Sequence, residues 1–493
     1  MAKRRMSTFE RLESGRLNRK QRRELGRQVA TADPGLTIVH VNAGGIDVGN
    51  ESHYVAVPPD RDPNPVREFG CWTAALNQMA EWLKSCQIDT VAMQATGVYW
   101  IALYDVLEQH SIRVVLVNAQ HTKNVPGRKT DVQECQWLMK LHTYGLLRDS
   151  FRLAQGMEGV RTIWRLRDRH VKEAGRAVQH MQKALTKMNI QLANVLSDIN
   201  GLSGQQIIAA ILNGQRDPWK LADLKDYRVR ASREEVARSL EGHWREDVLF
   251  ELQQAVDSYH FAQQQMQECD GKLENYLASL PARMLDIPPA RMLDIPTQPE
   301  SALAATPTKK TKKAKKPSGN QPHLDLKTEL QRICGVDLTV IDGIDVMTAL
   351  TIVSEIGTDM SGFPDENHFA SWLGLTPAKD ISGGKIIGRG KRKVKNRVAV
   401  ALRTAATTLL KSDSYLGARY RSLRRQLPSF AAAVKAMGRY LAVLIYRVLT
   451  RGEAWVDRGA TRFERRRTEQ ELASLNFKAR AKGFTLVPIT EPS

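Results

Sequence analysis

Four short apolar runs, separated by segments of helical period, constrain this chain more than any other feature. They read "IVHVNAGGIDVG", "ESHYVAVP", "DTVAMQATG" and "IRVVLVNA". Between them, "TAALNQMAEWLKSC" and "YWIALYDVLEQHS" repeat their apolar residues every three or four positions. Such alternation predicts an α/β layer over residues 39–150, with strands buried on at least one face.

The chain has 493 residues, too many for one core. Residues 1–38 read as a basic arm. Residues 151–280 are helical and carry two apolar seams of coiled-coil spacing. One runs from Ala174 through Val178, Met181, Leu185, Met188, Leu192 and Val195 to Ile199. The other runs from Leu249 to Leu280 and is broken by polar Gln263 and Asp270. Each seam is buried either within the chain or against another subunit. Residues 281–325 are a linker with "PARMLDIP" in tandem and then a lysine run, a composition that cannot bury enough apolar surface to fold. Residues 326–456 form a second, mostly helical region, and 457–493 a tail. Within residues 326–456, "IDGIDVMTALTIVSEIG" has the turn and helix of a helix-hairpin-helix, a weak phosphate-binding signal.

Seventy-three Lys and Arg stand against 53 Asp and Glu, a net charge of +20. This favours a polyanionic partner, with nucleic acid foremost. The five cysteines include no CxxC pair, which argues against a zinc site or a disulfide framework and fits a reducing cytoplasm. No run of about 18 uncharged apolar residues predicts a membrane span.

Asp47 closes the first strand beside glycines, and Asp131 and Glu134 sit three apart at the start of a helix. If that helix crosses the sheet near the strand end, three carboxylates converge. Clustered carboxylates are costly unless a cation neutralises them, and hard divalent ions suit oxygen ligands. Two such ions promote phosphoryl transfer. Singly, Asp47 also reads as a turn residue and Asp131 as a helix N-cap. Tyr99 and Trp100 read as packed under the sheet edge, with base stacking as the alternative. Trp137 and Leu138 read as core contacts. His121 and Lys123 suit either a loop or a phosphate.

"GIDVG", "MQATGVYW", "VNAQHTKNVPGRKTDVQECQWL" and "LHTYGLL" together resemble the N-terminal domain of the transposases of the insertion-sequence IS-one-ten family. "GIDVMTALTIVSEIG", "FASWLGLTP" and "SGGK" resemble its C-terminal domain. The resemblance implies a RuvC-like, RNase H-type α/β domain, a long helical or coiled-coil middle and a mostly helical C-terminal domain. It implies Mg²⁺ or Mn²⁺ on an Asp-Glu-Asp-Asp set, which maps here to Asp47, Gln94, Asp131 and Glu134. It also implies a serine, Ser382, that forms a transient phosphoserine link to DNA. The implied partners are duplex DNA at element ends and target, a structured noncoding bridge RNA, and three further copies of the chain in a tetramer. The implied location is the prokaryotic cytoplasm, at the nucleoid.

Two positions depart from that pattern. Glu134 replaces Asp and keeps the charge. Gln94 replaces Glu, so the set loses one negative charge while keeping an oxygen donor, and metal affinity should fall about tenfold or more. Gly383 and Gly384 let the Ser382 backbone approach a phosphate. Lys385, Arg389, Lys391, Arg392, Lys393, Lys395 and Arg397 follow, and with Lys123, Arg128 and Lys129 they are expected to hold nucleic-acid backbone. No histidine adjoins Ser382, so a carboxylate or a metal-bound water of the RuvC-like domain would have to assist. A hydrolytic RuvC-like nuclease and a catalytically impaired binding protein remain as alternatives.

Overall fold

The structure is a computed structural model. It describes residues 35–95, 97–118, 130–154, 156–284, 320–322, 324–377, 380–382, 385–388 and 396–452, with short pieces between 469 and 485. Most of the N-terminal arm and of the linker lies outside these residues. The chain divides into two compact units, Met1–Arg152 and Leu153–Ser493. The expected fold class is present: a mixed five-stranded sheet of RNase H type, then a mostly helical remainder.

In the first unit β1 (Ala43–Val48), β2 (Ser52–Ala56) and β3 (Val66–Gly70) form an antiparallel meander. Helix α1 (Thr73–Ser85) crosses to β4 (Thr90–Gln94), and α2 (Trp100–Gln109) crosses to β5 (Arg113–Val117). Both strands run parallel to β1, and the sheet order is β3-β2-β1-β4-β5. Strand β3 was not expected. Its alternation in "VREFG" is short and follows the turn-rich "PDRDPNP". Ile46, Val48, Val55, Val91, Met93 and Leu116 point to one face and pack on α1 and α2. The opposite face carries α3 (Asp131–Thr143).

The seating of α3 depends on a glycine. A Cβ at Gly45 would lie 2.9 Å from the Met139 Cα and closer still to the Cys135 carbonyl oxygen and the Met139 nitrogen. Cys135 and Met139 then pack on Ala56, while Leu138 packs on Val115 and Val117. Further along, His142 Nε2 meets Thr90 Oγ1 at 2.9 Å, and its ring lies 4.6 Å from that of His40. Burial drives the His142 imidazole down to about 3, and the nearby His40 and Arg113 add to the effect. The folded form therefore holds a neutral ring. Its contribution is complete above the ordinary histidine value of about 6.5 and drains away as pH falls from there towards 3. We expect stability to drop by about 1.4 kcal/mol for each pH unit in that window. Urea titrations of the wild-type chain and of His142→Gln should show the slope in the first and its loss in the second. Equal slopes would remove His142 as the cause.

In the second unit α4 (Met157–Lys187) leads to four short helices: α5 (Leu192–Val195), α6 (Leu202–Leu212), α7 (Pro218–Ala222) and α8 (Arg233–Ser239). The long α9 (Glu246–Ser279) returns along α4. Gly159 faces the Tyr276 ring, Arg167 pairs with Asp270, and Lys187 Nζ reaches Glu251 at 2.6 Å. The two helices are thus antiparallel, and their seams meet within the chain. The first seam was expected to run on to Ile199 in one helix. Instead α4 ends at Lys187, where Met188 caps it and Asn189 takes φ +57°. Met188, Leu192 and Ile199 then fill the core of the short helices.

Next come α10 (Leu326–Cys334), a 3-10 turn (Leu338–Val340), α11 (Val346–Ile356) and α12 (Glu366–Trp372). The hairpin β6 (Asp380–Ser382) and β7 (Lys385–Gly388) follows. Helices α13 (Arg397–Thr408), α14 (Tyr415–Gln426) and α15 (Phe430–Arg451) complete the unit. The N-terminus of α11, read above as a phosphate cradle, is capped by the Asp345 carboxylate, which accepts the Thr348 N–H at 2.8 Å. An anion there would meet like charge. No described helix is long and apolar enough to cross a membrane.

Candidate active site

Side-chain direction alternates along a strand, so the Gly45 contact fixes the face of Asp47. Asp47 lies two residues on and shares the α3 face. Its cross-strand partner is Tyr54, which also borders the Cys135–Met139 cluster. The parallel register pairs Gly45 with Ala92 and Ile46 with Met93. One step further along that register brings Gln94 beside Asp47. Gln94 pairs with Val117, whose side chain meets Leu138 of α3. Asp47 and Gln94 therefore share the α3 face at the carboxyl ends of neighbouring parallel strands. Gln94 is buried, only 6% exposed, and Asp47 is half-buried.

Asp131 begins α3, one turn before Cys135, and Glu134 lies one turn before Leu138. Both acids thus continue the helix stripe that packs on the sheet. Asp131 is exposed and Glu134 half-buried. The N-cap is Thr130, not Asp131. Thr130 Oγ1 accepts the Gln133 N–H at 3.3 Å, and the Gln133 side chain answers the Thr130 N–H at 3.4 Å. This capping box leaves the Asp131 carboxylate unused by the helix end. "TDVQ" carried that signal in the sequence.

Electrostatics connects these groups. The Cys135 thiol is pushed up to about 12, mainly by burial, with the carboxylates of Asp47 and Asp131 contributing. The Tyr54 phenol is raised mainly by its hydrogen bond to Glu68, with Asp131 contributing. Asp47 and Asp131 are thus felt at one thiol, from the strand and from the helix.

Three carboxylates and an amide oxygen are the donor set of a hard divalent cation. The protonated Cys135 is not part of it. As the side chains stand, no three His, Cys, Asp or Glu among the described residues are gathered closely enough to share an ion. The donor chemistry fits, and a bound ion would draw the carboxylates together.

The expected flanking residues divide. Leu138 is fully buried and Trp137 half-buried, as core contacts. Tyr99 does not pack under the sheet edge. It is 47% exposed, five residues after Gln94, and a Cβ at Gly97 would touch its ring at 3.4 Å. In the second unit the register sets Ser382 opposite Lys385, at the closed end of the β6–β7 hairpin. Arg397 pairs with Asp168 at 2.9 Å and Glu355 at 3.8 Å, acids that a phosphate would have to displace. His121, Lys123, Arg128, Lys129, Arg389, Lys391, Arg392, Lys393 and Lys395 lie outside the described residues.

The sheet order and the acids at its carboxyl edge define a domain of the RNase H type. A family model for DEDD transposases of the IS110 group, described as Transposase, matches residues 44–190. A second, described as Transposase IS116/IS110/IS902 family, matches residues 337–421. The chain belongs to the IS110 family of transposases, and its activity is DNA transposition, a recombination reaction. No curated protein matches it.

Proposed function

We propose that this transposase is guided by a structured RNA and that it cleaves and rejoins DNA through a phosphoserine link at Ser382, in the cytoplasm and as a tetramer. The observation that supports the catalytic part is that Asp47 and Gln94 end neighbouring strands on the face covered by α3, while Asp131 and Glu134 lie on the first turn of that helix. Asp47, Asp131, Glu134 and the Gln94 amide oxygen would hold Mg²⁺ or Mn²⁺, which supplies charge neutralisation at the phosphoryl oxygens. The Ser382 oxygen attacks phosphorus, its proton passes to a carboxylate, and the bond from phosphorus to the leaving deoxyribose oxygen breaks as that oxygen takes up a proton. Attack by that hydroxyl on the serine ester reverses the step and frees Ser382. Lys123, Arg128, Lys129, Lys385, Arg389, Lys391, Arg392, Lys393, Lys395 and Arg397 supply positive charge along the strands.

The buried, neutral Gln94 favours a second reading, a catalytically impaired copy that still binds nucleic acid. One assay separates the readings. The chain purified with its RNA is mixed with end-labelled element-junction DNA and Mg²⁺, then run on a denaturing protein gel. We expect label migrating with the protein, absent in Ser382→Ala and in Asp47→Ala. Gln94→Glu should strengthen the Mg²⁺ response about tenfold. Cut DNA without an adduct would replace the proposal with a hydrolytic nuclease. Activity found only in Gln94→Glu would establish the impaired copy.

A further inference from the structure

From Asn396 to Gly452 the chain carries eleven Lys and Arg and a single acid, Asp413. Packing accounts for most of these cations. Arg397 pairs with Asp168 and Glu355, Arg447 and Arg451 with Glu366, and Arg439 donates to the Asn367 side chain. Arg403 donates to the Ala399 carbonyl, and the Arg419 guanidinium lies 4.0 Å above the Tyr440 ring.

Apart from Lys435 within α15, the cations that remain lie on α14 or beside it. Arg421 of α14 donates to the Ser412 carbonyl at 2.6 Å, which places the residues around Lys411 against this helix. Arg424 and Arg425 lie three and four positions beyond Arg421, on the next turn of the same side. Arg424 holds its guanidinium 4.8 Å from the centre of the Phe430 ring, and that ring is 50% exposed. Lys411, Arg424 and Arg425 are exposed, and among the described residues no carboxylate pairs with them. Cations free of carboxylates beside an exposed ring already backed by a guanidinium form a surface that a solvated helix end does not need. Each element matches one part of an unpaired strand: phosphates for the cations, a base face for the ring.

We propose that Lys411, Arg424, Arg425 and Phe430 form a binding surface for single-stranded nucleic acid, with a base stacked on Phe430 and the neighbouring phosphates on the three cations. The surface deepens the reading above, since it gives a nucleic-acid-guided transposase a place for an unpaired segment. Duplexes keep their base faces stacked inward, so the ring selects for unpaired strands.

The test uses the full chain, freed of nucleic acid, with a short mixed-sequence single-stranded RNA, the same sequence as single-stranded DNA, and the duplex. Binding is followed by anisotropy across a series of KCl concentrations. Arg424→Gln combined with Arg425→Gln should lower the slope of log affinity against log salt by about 1.4 on the single strands. Phe430→Ala should weaken single-strand binding by about fivefold to a hundredfold while leaving the slope in place. Unchanged melting curves confirm that both variants fold. Effects on RNA alone or on DNA alone would identify the strand and support the surface. Slopes and affinities equal to wild type, in a chain that still binds, would overturn the surface and leave the transposase reading standing. A wild-type chain that binds no nucleic acid at all would overturn both.

Discussion

Gly45→Ala should destabilise the first unit by about 3 kcal/mol or more and abolish DNA cleavage. Overpacking a core side chain commonly costs about 1–3 kcal/mol, because neighbours can change rotamer. Here the added Cβ would meet backbone atoms of Cys135 and Met139, which have no rotamer to change. Relief requires α3 to lift from β1. The lift would carry Asp131 and Glu134 away from Asp47, which stands on the strand two residues from the glycine. Gly175 provides the control. It lies within α4, and a Cβ there meets nothing within 4 Å. Gly175→Ala should be neutral or add about 0.5–1 kcal/mol of helix stability. Hydrogen exchange of α3 and of α4, read in both variants, assigns each effect to its unit. A Gly45→Ala chain whose α3 amides exchange as slowly as wild type would show that the close approach is not needed.

Much of this unit was legible in the sequence because its strands are short, apolar and closed by turn residues. The face of each acid was not. That Asp47 shares a side with α3 follows from the register and from the glycine beneath Cys135, and no periodicity in "GGIDVG" specifies it. Gln94 was found through its motif, since a buried glutamine on a strand end otherwise resembles any capped polar residue. The break in α4 was hidden because Met188, Leu192 and Ile199 keep seam spacing after the helix has stopped, and the small cluster beyond it buries the same residue types. The basic surface on α14 was missed because its cations are scattered among arginines that serve packing. Only the structure separates those with carboxylate or carbonyl partners from those without.

The second seam shows what a polar interruption does when its partner is known. Arg167 and Asp270 face each other between α4 and α9, with Arg167 almost fully buried and Asp270 nearly so. A second contact joins Arg167 Nη2 and Asp270 at 3.2 Å, and Arg167 Nη1 donates to the Asn320 carbonyl at 2.8 Å. Removing one member of such a pair leaves an uncompensated charge, and the usual cost is about 3–5 kcal/mol. Arg167→Met should therefore destabilise the second unit by that amount, as should Asp270→Leu. The double variant should recover most of the loss, because Trp164, Met266 and Leu273, each one turn away along α4 or α9, are already apolar and buried. A residual cost of about 1–3 kcal/mol would reflect loss of the Arg167–Asn320 hydrogen bond. The four chains of this cycle, compared by urea denaturation, yield the coupling directly. Single variants within 1 kcal/mol of wild type would show that water reaches the pair. If the coupling is large, the pair discriminates against a shift of one helix along the other, since any other register would bury Asp270 against carbon. That selectivity would hold the two long helices in one alignment within the chain, at the positions where the sequence breaks its apolar pattern.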